Sequence, residues 1–263
     1  MADQTQKLHI AMLPWPAFGH MIPFLDLAKN IAQKGHRVSY LATPRNIQRL
    51  PKLPPYLADS ITLVQLLLHN DNSLPENSEA TMDIPPHNML DLKRAYHDWI
   101  IYDIFAYWLP PIAAKLGISR GFFNTNNAWN MSFIGSSIPE IKAKYDPPTK
   151  PEDMTVPPKW VTFPTNATFR LFEAKDYFFY KSSNDSNFTE HNLAVSGCEV
   201  NIVRSCVKLE PEWLKLLKEL HQKPVVPVCI LPLTMQVRRH DHKDDTWDTI
   251  IEWLDKQEKG SVV

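Results

Sequence analysis

Residues 8–42 place the tightest constraint on the fold. Leu8-His-Ile-Ala-Met-Leu13 reads as a short buried strand, stopped by Pro14 and Pro16. Past a loop that ends at Gly19-His20, apolar residues fall at Ile22, Leu25, Ala28, Ile31 and Ala32. That is the spacing of one helical face, with Lys29, Gln33 and Lys34 on the other. Gly35 supplies the stop, and Arg37–Ala42 is a second apolar strand. Two apolar strands joined through one helix make a βαβ unit, the opening of a doubly wound parallel α/β sheet.

The pattern continues less regularly. Ile61–Leu68 predicts a third strand, followed by a polar, Pro-punctuated stretch to Pro86 and a helix around Met89–Tyr96. Trp99–Asp103 is a fourth strand, and Trp108–Leu116 a helix entered through Pro110-Pro111 and stopped by Gly117. Arg120–Asn124 is a fifth. Helical or loop-rich segments fill 126–145, and a Pro-rich connection runs from 146 to 158. Val200–Arg204 and Val225–Ile230 flank the helix Glu212–His221. Beyond Leu231 the charged run Arg238–Asp245 reads as an exposed linker. A helix resumes at Thr246–Lys256, and Gly260–Val263 reads as a strand just starting. The expected organisation is a domain over 1–231, a linker over 232–245 and the opening of a second domain over 246–263. An apolar half-strand has no core to join, so an incomplete protein is expected. No internal repeat or low-complexity tract is present.

Composition narrows the function classes. Lys plus Arg is 28 and Asp plus Glu is 29, a formal charge of −1. A nucleic-acid binder carries a basic surplus, and a polybasic membrane-surface protein does too, so neither is expected. No window approaches the roughly 18 uninterrupted apolar residues of a membrane span. The start Met-Ala-Asp-Gln-Thr-Gln-Lys7 lacks the basic and apolar regions of a secretory signal, so a cytoplasmic protein is expected. The sequons at Asn130, Asn166, Asn184 and Asn187 therefore carry little weight. Cys198, Cys206 and Cys229 are too few and scattered for a disulfide framework or a zinc site. His240-Asp-His242 lies in the charged run without a framework, and no metal is expected there. With 7 Gly against 23 Pro, phosphate loops are scarce. The first βα loop lacks Gly-x-Gly-x-x-Gly, which disfavours a dinucleotide site, and no P-loop or Gly-x-Ser-x-Gly elbow exists.

Chemistry points to one edge. His20 ends the first βα loop and Asp103 closes the fourth strand, both at the carboxyl edge where ligands bind. In the order 3-2-1-4-5 these strands are neighbours, so the two side chains can meet. A carboxylate behind an imidazole fixes its tautomer and makes it a useful general base. The competing reading is that His20 caps the helix and Asp103 merely ends a strand. Trp15, Phe18, Phe105, Tyr107, Trp108 and Trp129 crowd the same strand ends and would suit a flat, hydrophobic acceptor. For any single ring, core packing is the commoner role.

Leu13-Pro-Trp-Pro-Ala-Phe-Gly-His20-Met-Ile-Pro-Phe-Leu-Asp-Leu-Ala-Lys29 resembles the opening of plant UDP-dependent glycosyltransferases. Further stretches are similar: Leu74-Pro-Glu-Asn-Ser-Glu-Ala-Thr81, Trp99-Ile-Ile-Tyr-Asp103, Trp108-Leu-Pro-Pro-Ile-Ala-Ala-Lys-Leu-Gly117, Arg204-Ser-Cys206, Glu210-Pro-Glu-Trp213, Lys223-Pro-Val-Val-Pro-Val228 and Trp253–Val263. Several resemble the branch that extends sugars already attached to flavonoids or triterpenoids, as UDP-rhamnose:rhamnosyltransferases do. The resemblance implies the N-terminal, Rossmann-like, acceptor-binding domain of a two-domain GT-B enzyme. It implies an inverting transfer from a UDP-sugar donor, without metal, to a small aromatic or terpenoid glycoside, with no nucleic acid and no membrane span. His20 matches the general base and Asp103 its orienting partner. Thr125 matches a position that touches the donor, and Trp15, Phe18, Gly19, Phe105 and Trp129 would line the substrate site. A monomer is expected.

Two departures matter. The family's donor-binding signature would lie beyond Val263 and is absent from the sequence. Lys93-Arg-Ala-Tyr-His-Asp98 runs almost directly into the fourth strand, where relatives carry an additional helical stretch. Three readings follow: an enzyme represented by its acceptor-binding half, a non-catalytic acceptor-binding module, or an inactive truncated product.

Overall fold

The computed structural model of the chain describes residues 6–66, 97–136, 138, 148–183, 186–231, 252–253 and 255–257. Seven strands form one sheet: β1 (His9–Leu13), β2 (Arg37–Ala42), β3 (Ile61–Gln65), β4 (Trp99–Tyr102), β5 (Ser119–Asn124), β6 (Val200–Val203) and β7 (Val225–Pro227). Their order is β3-β2-β1-β4-β5-β6-β7, and every neighbouring pair is parallel. Between β1 and β4 the direction of winding reverses, which makes the carboxyl ends of these two strands the switch point of the sheet. Leu13 pairs with Tyr102, so the loops after β1 and β4 leave the sheet at one level; Tyr102 pairs with Phe122, and β5 runs two residues further, to Asn124.

The helices are α1 (Phe18–Gln33), α2 (Pro44–Arg49), α3 (Leu109–Lys115), α4 (Ala128–Ile134), α5 (Leu171–Ser183), α6 (Ser186–Gly197) and α7 (Pro211–His221). The fold is the Rossmann-like α/β architecture expected from the sequence, with strand alternation feeding two cores. Ala11, Leu13, Ile100, Tyr102 and Phe122 join α3, α6 and α7 on one face. Ile10, Met12, Val38, Tyr40, Ile101 and Phe123 join α1 on the other. Contacts divide the chain into Met1–Leu231, which holds the sheet, and Pro232–Val263.

Buried polar groups tie helices to strands. Tyr102 Oη donates to Ala194 O at 2.5 Å, and Tyr40 Oη to Met21 O at 2.6 Å. Burial pushes both phenols up, so they stay protonated donors; the charges of Asp103 and Asp26 add to this at Tyr40. Asp26 and Lys29 form a buried pair at 3.1 Å on α1, where losing either partner would strand a charge.

Several expectations shift. α1 starts at Phe18 rather than after His20, because Ala17 O accepts the N–H groups of both His20 and Met21. Strand β3 ends at Gln65, and α2, opened by Pro44, was not expected. Nor were α5 and α6. Gly197 closes α6 tightly against α3: a Cβ there would lie 2.5 Å from Pro110 Cβ. Gly35 adopts φ +91°, the left-handed turn expected after α1. The helix expected at 89–96, the linker at 232–245 with His240 and His242, and the strand at 260–263 lie outside the described residues. The helix expected at Thr246–Lys256 lies mostly outside them, with residues 252, 253 and 255 helical.

Candidate active site

Three loop starts converge at the switch point. α1 brings Gly19 and His20 in its first turn, β4 ends into Asp103, and β5 ends into Thr125. Asp103 N donates to Leu13 O at 3.2 Å, which fastens the residue after β4 to the end of β1. A 3-10 turn at Ile104–Ala106 follows, closed by Ala106 N on Asp103 O at 3.0 Å, and it presents Phe105. The Tyr40 hydroxyl on Met21 O holds the first turn of α1 against β2.

His20 Nδ1 and Asp103 Oδ2 are 2.8 Å apart. The carboxylate can only accept, so Nδ1 carries the proton, and in the neutral imidazole Nε2 keeps its lone pair. The His20 side chain is 26% exposed, whereas that of Asp103 is 2% exposed. The basic nitrogen is thus on a group open to solvent, backed by a carboxylate that is not. Among the described residues no partner takes Nε2. Such an imidazole can accept a proton from a bound hydroxyl, and the carboxylate stabilises the imidazolium that forms. Thr125 Oγ1 lies 3.5 Å from His20 Nδ1, beside the dyad.

Trp15 stacks on Phe105 with centroids 3.8 Å apart and planes at 29°. Phe105 lies 6.3 Å from the His20 ring, and Phe18 is 48% exposed. Gly19 is exposed, and a Cβ there would meet nothing within 4 Å. The structure therefore gathers Trp15, Gly19, His20, Asp103, Phe105 and Thr125 at one edge. Trp129 packs elsewhere: its ring meets Phe133, Phe169 and Trp213 at 5.9, 5.0 and 6.5 Å. Among the described residues no group of three or more His, Cys, Asp or Glu is arranged to hold a metal, and no helix is long and apolar enough to cross a membrane.

Two residues escaped sequence reasoning. Tyr40 is one of the consecutive buried residues of β2, and nothing local distinguishes its hydroxyl. Glu210 accepts Ala128 N and Trp129 N, each at 3.1 Å, and the Ser205 hydroxyl at 2.5 Å. Its only local signal is an acidic residue just ahead of Pro211 at a helix start.

No protein-family model matches the chain. UDP-glycosyltransferase 91B1 of Arabidopsis thaliana is 43% identical over 286 residues, covering 100% of this chain and 60% of the relative. Soyasaponin III rhamnosyltransferase of Glycine max is 37% identical over 289 residues, covering 99% and 58%. The chain thus spans about 60% of the length of the curated relatives it matches. Among solved structures, Phytolacca americana UGT2 with UDP-2fluoro-glucose and pterostilbene superposes with TM-score 0.66 at 21% identity, over 95% of this chain and 57% of that one. A transferase from Siraitia grosvenorii in complex with UDP gives TM-score 0.69 at 17% identity, over 96% and 56%. These structural likenesses carry the fold and the sequence likenesses carry descent: the chain is a homologue of the plant UDP-glycosyltransferases, matched along its whole length to part of theirs.

Proposed function

We propose that this chain supplies the acceptor-binding side and the general base of an inverting glycosyltransferase. In this reading residues 1–231 are the acceptor-binding domain, 232–245 the linker and 246–263 the start of the donor-binding domain. The donor is a UDP-sugar and the acceptor a flavonoid or triterpenoid glycoside. The acceptor hydroxyl gives its proton to His20 Nε2 while its oxygen bonds to the anomeric carbon. The bond from that carbon to UDP breaks, and its electron pair leaves on the diphosphate oxygen, so the configuration inverts. Asp103 holds His20 in the required tautomer and stabilises the imidazolium. Trp15 and Phe105, with Phe18 and the open side of Gly19, offer an apolar wall for a flat acceptor, and Thr125 faces the donor sugar. The scheme needs no metal, and it assigns a monomeric, cytoplasmic protein.

The observation that supports it best is the 2.8 Å His20–Asp103 bond, with Nε2 left for substrate. The test is sugar transfer from UDP-glucose and UDP-rhamnose to flavonoid and triterpenoid glycosides by the protein that carries this sequence through its complete reading frame. His20→Ala is expected to cut turnover by about 10²–10⁴-fold while acceptor binding, followed by fluorescence quenching, persists. Unchanged turnover contradicts the assignment.

A further inference from the structure

We infer that Glu210 is a positioning residue for Thr125 and, through it, for the donor-facing side of the His20 centre. The inference rests on the glycosyltransferase reading above. Thr125 Oγ1 is 3.5 Å from His20 Nδ1, too long to hold the hydroxyl in place. Its position is set by its flanks instead. Upstream, Arg204 N donates to Asn124 O at 3.1 Å, and Asn124 Oδ1 accepts Asn126 N at 3.0 Å. Downstream, the two Glu210 oxygens take the Ala128 and Trp129 amides, and Asn127 Oδ1 takes the Asn130 amide at 3.2 Å.

The first three amides of α4 are therefore satisfied by side chains, and two of them by one carboxylate. An anionic acceptor at a helix start gains from charge-assisted bonds and from the helix dipole. The Ser205 hydroxyl donates to Oε2 at 2.5 Å and aims the carboxylate. Arg204, Ser205 and Glu210 all belong to the segment between β6 and α7, so that one segment holds both sides of Thr125. A neutral amide at 210 has a single acceptor oxygen and cannot serve both α4 amides equally. The end of β5 would then lose the fixed exit that aims Thr125.

The experiment is a double-mutant cycle in the complete protein: Glu210→Gln, Thr125→Ala and both together, with kcat, the KM of each substrate and Tm measured. Glu210→Gln is expected to lower kcat by about tenfold, a fraction of the ~10²-fold that a 1 Å misplacement can cost. The acceptor KM should stay within about twofold of its original value, on the same principle that only the donor side has moved. In the Thr125→Ala background the same substitution should cost no further activity, because residues acting as one unit are non-additive. Ser205→Ala keeps the charge on α4 and should give a smaller loss in the same direction; it serves if Glu210→Gln does not fold. Full kcat in Glu210→Gln, or an equal loss in both backgrounds, overturns the inference. His20→Ala in the same assay separates the claims, since its loss of turnover upholds the base whichever way Glu210 falls.

Discussion

A histidine and an aspartate meet beside each end of the β1–β4 pair, and only one end is arranged for chemistry. At the amino edge, Asp98 Oδ2 accepts the backbone N–H of His9 at 2.7 Å, and Asp98 N donates to His9 O at 2.8 Å. The His9 ring bonds Ser39 Oγ through Nε2 at 2.8 Å and packs on His97 with centroids 4.3 Å apart. Here the carboxylate serves the backbone, and the imidazole is engaged with its neighbours. At the carboxyl edge the roles are reversed: Asp103 sends its carboxylate to the His20 ring, and its backbone N–H closes onto Leu13. What differs is not residue type but which atom the carboxylate meets. A carboxylate on an amide extends the ladder, whereas a carboxylate on Nδ1 sets a tautomer and leaves Nε2 for a ligand. The edges differ because a parallel strand runs into a helix at its carboxyl end. His20 therefore sits in the first turn of α1, beyond the end of β1, while His9 is still inside the ladder.

Substitutions at the two ends should therefore fail in different ways. The largest effect is expected for Asp103→Asn, which no longer enforces Nδ1–H on His20. Turnover should fall by about 10²–10⁴-fold with the far-ultraviolet circular dichroism unchanged. Equal turnover would mean that Asp103 does not orient the base, and the distinction between the edges would collapse. His9→Ala should leave turnover intact and cost about 0.5–3 kcal/mol in urea denaturation, as the loss of a half-buried packing contact and hydrogen bond does. A large loss of kcat there would break the comparison from the other side. Asp98→Ala should show the smallest effect, about 0.5–1.5 kcal/mol for one lost hydrogen bond, again with kcat preserved.

Most of the frame was legible because strands buried on both faces read as short apolar runs, and β1, β2, β4 and β5 fall where those runs do. The common order 3-2-1-4-5 makes β1 and β4 neighbours, so a meeting of His20 with Asp103 could be read as one of two options, the other being that His20 only caps its helix. The start of α1 was not legible, since Phe18 and Gly19 look like loop continuing from Pro16. α5 and α6 carried no signal. Ser186–Gly197 is rich in Asn, Ser and Thr, weak helix formers without a clear apolar stripe. Its helix is held by tertiary contacts: Ala194 and Val195 in the core, the Tyr102 hydroxyl on Ala194 O, and Gly197 against Pro110. Tyr40 and Glu210 were missed for the same reason, because each acts on backbone atoms distant in sequence. Trp129 shows the reverse case. Its place just after β5 suggested a site residue, yet its ring contacts are with Phe133, Phe169 and Trp213.

The most direct test of the account needs no donor and no acceptor. In the chain labelled with 15N-histidine, long-range nitrogen–proton correlations report which ring nitrogen of each histidine carries the proton, with His20→Gln identifying the His20 signals. The account predicts His20 protonated at Nδ1 and bare at Nε2, with the Nδ1 proton shifted downfield by Asp103. A His20 protonated at Nε2 with Nδ1 bare would contradict it, because the nitrogen assigned to take the acceptor's proton would already be occupied.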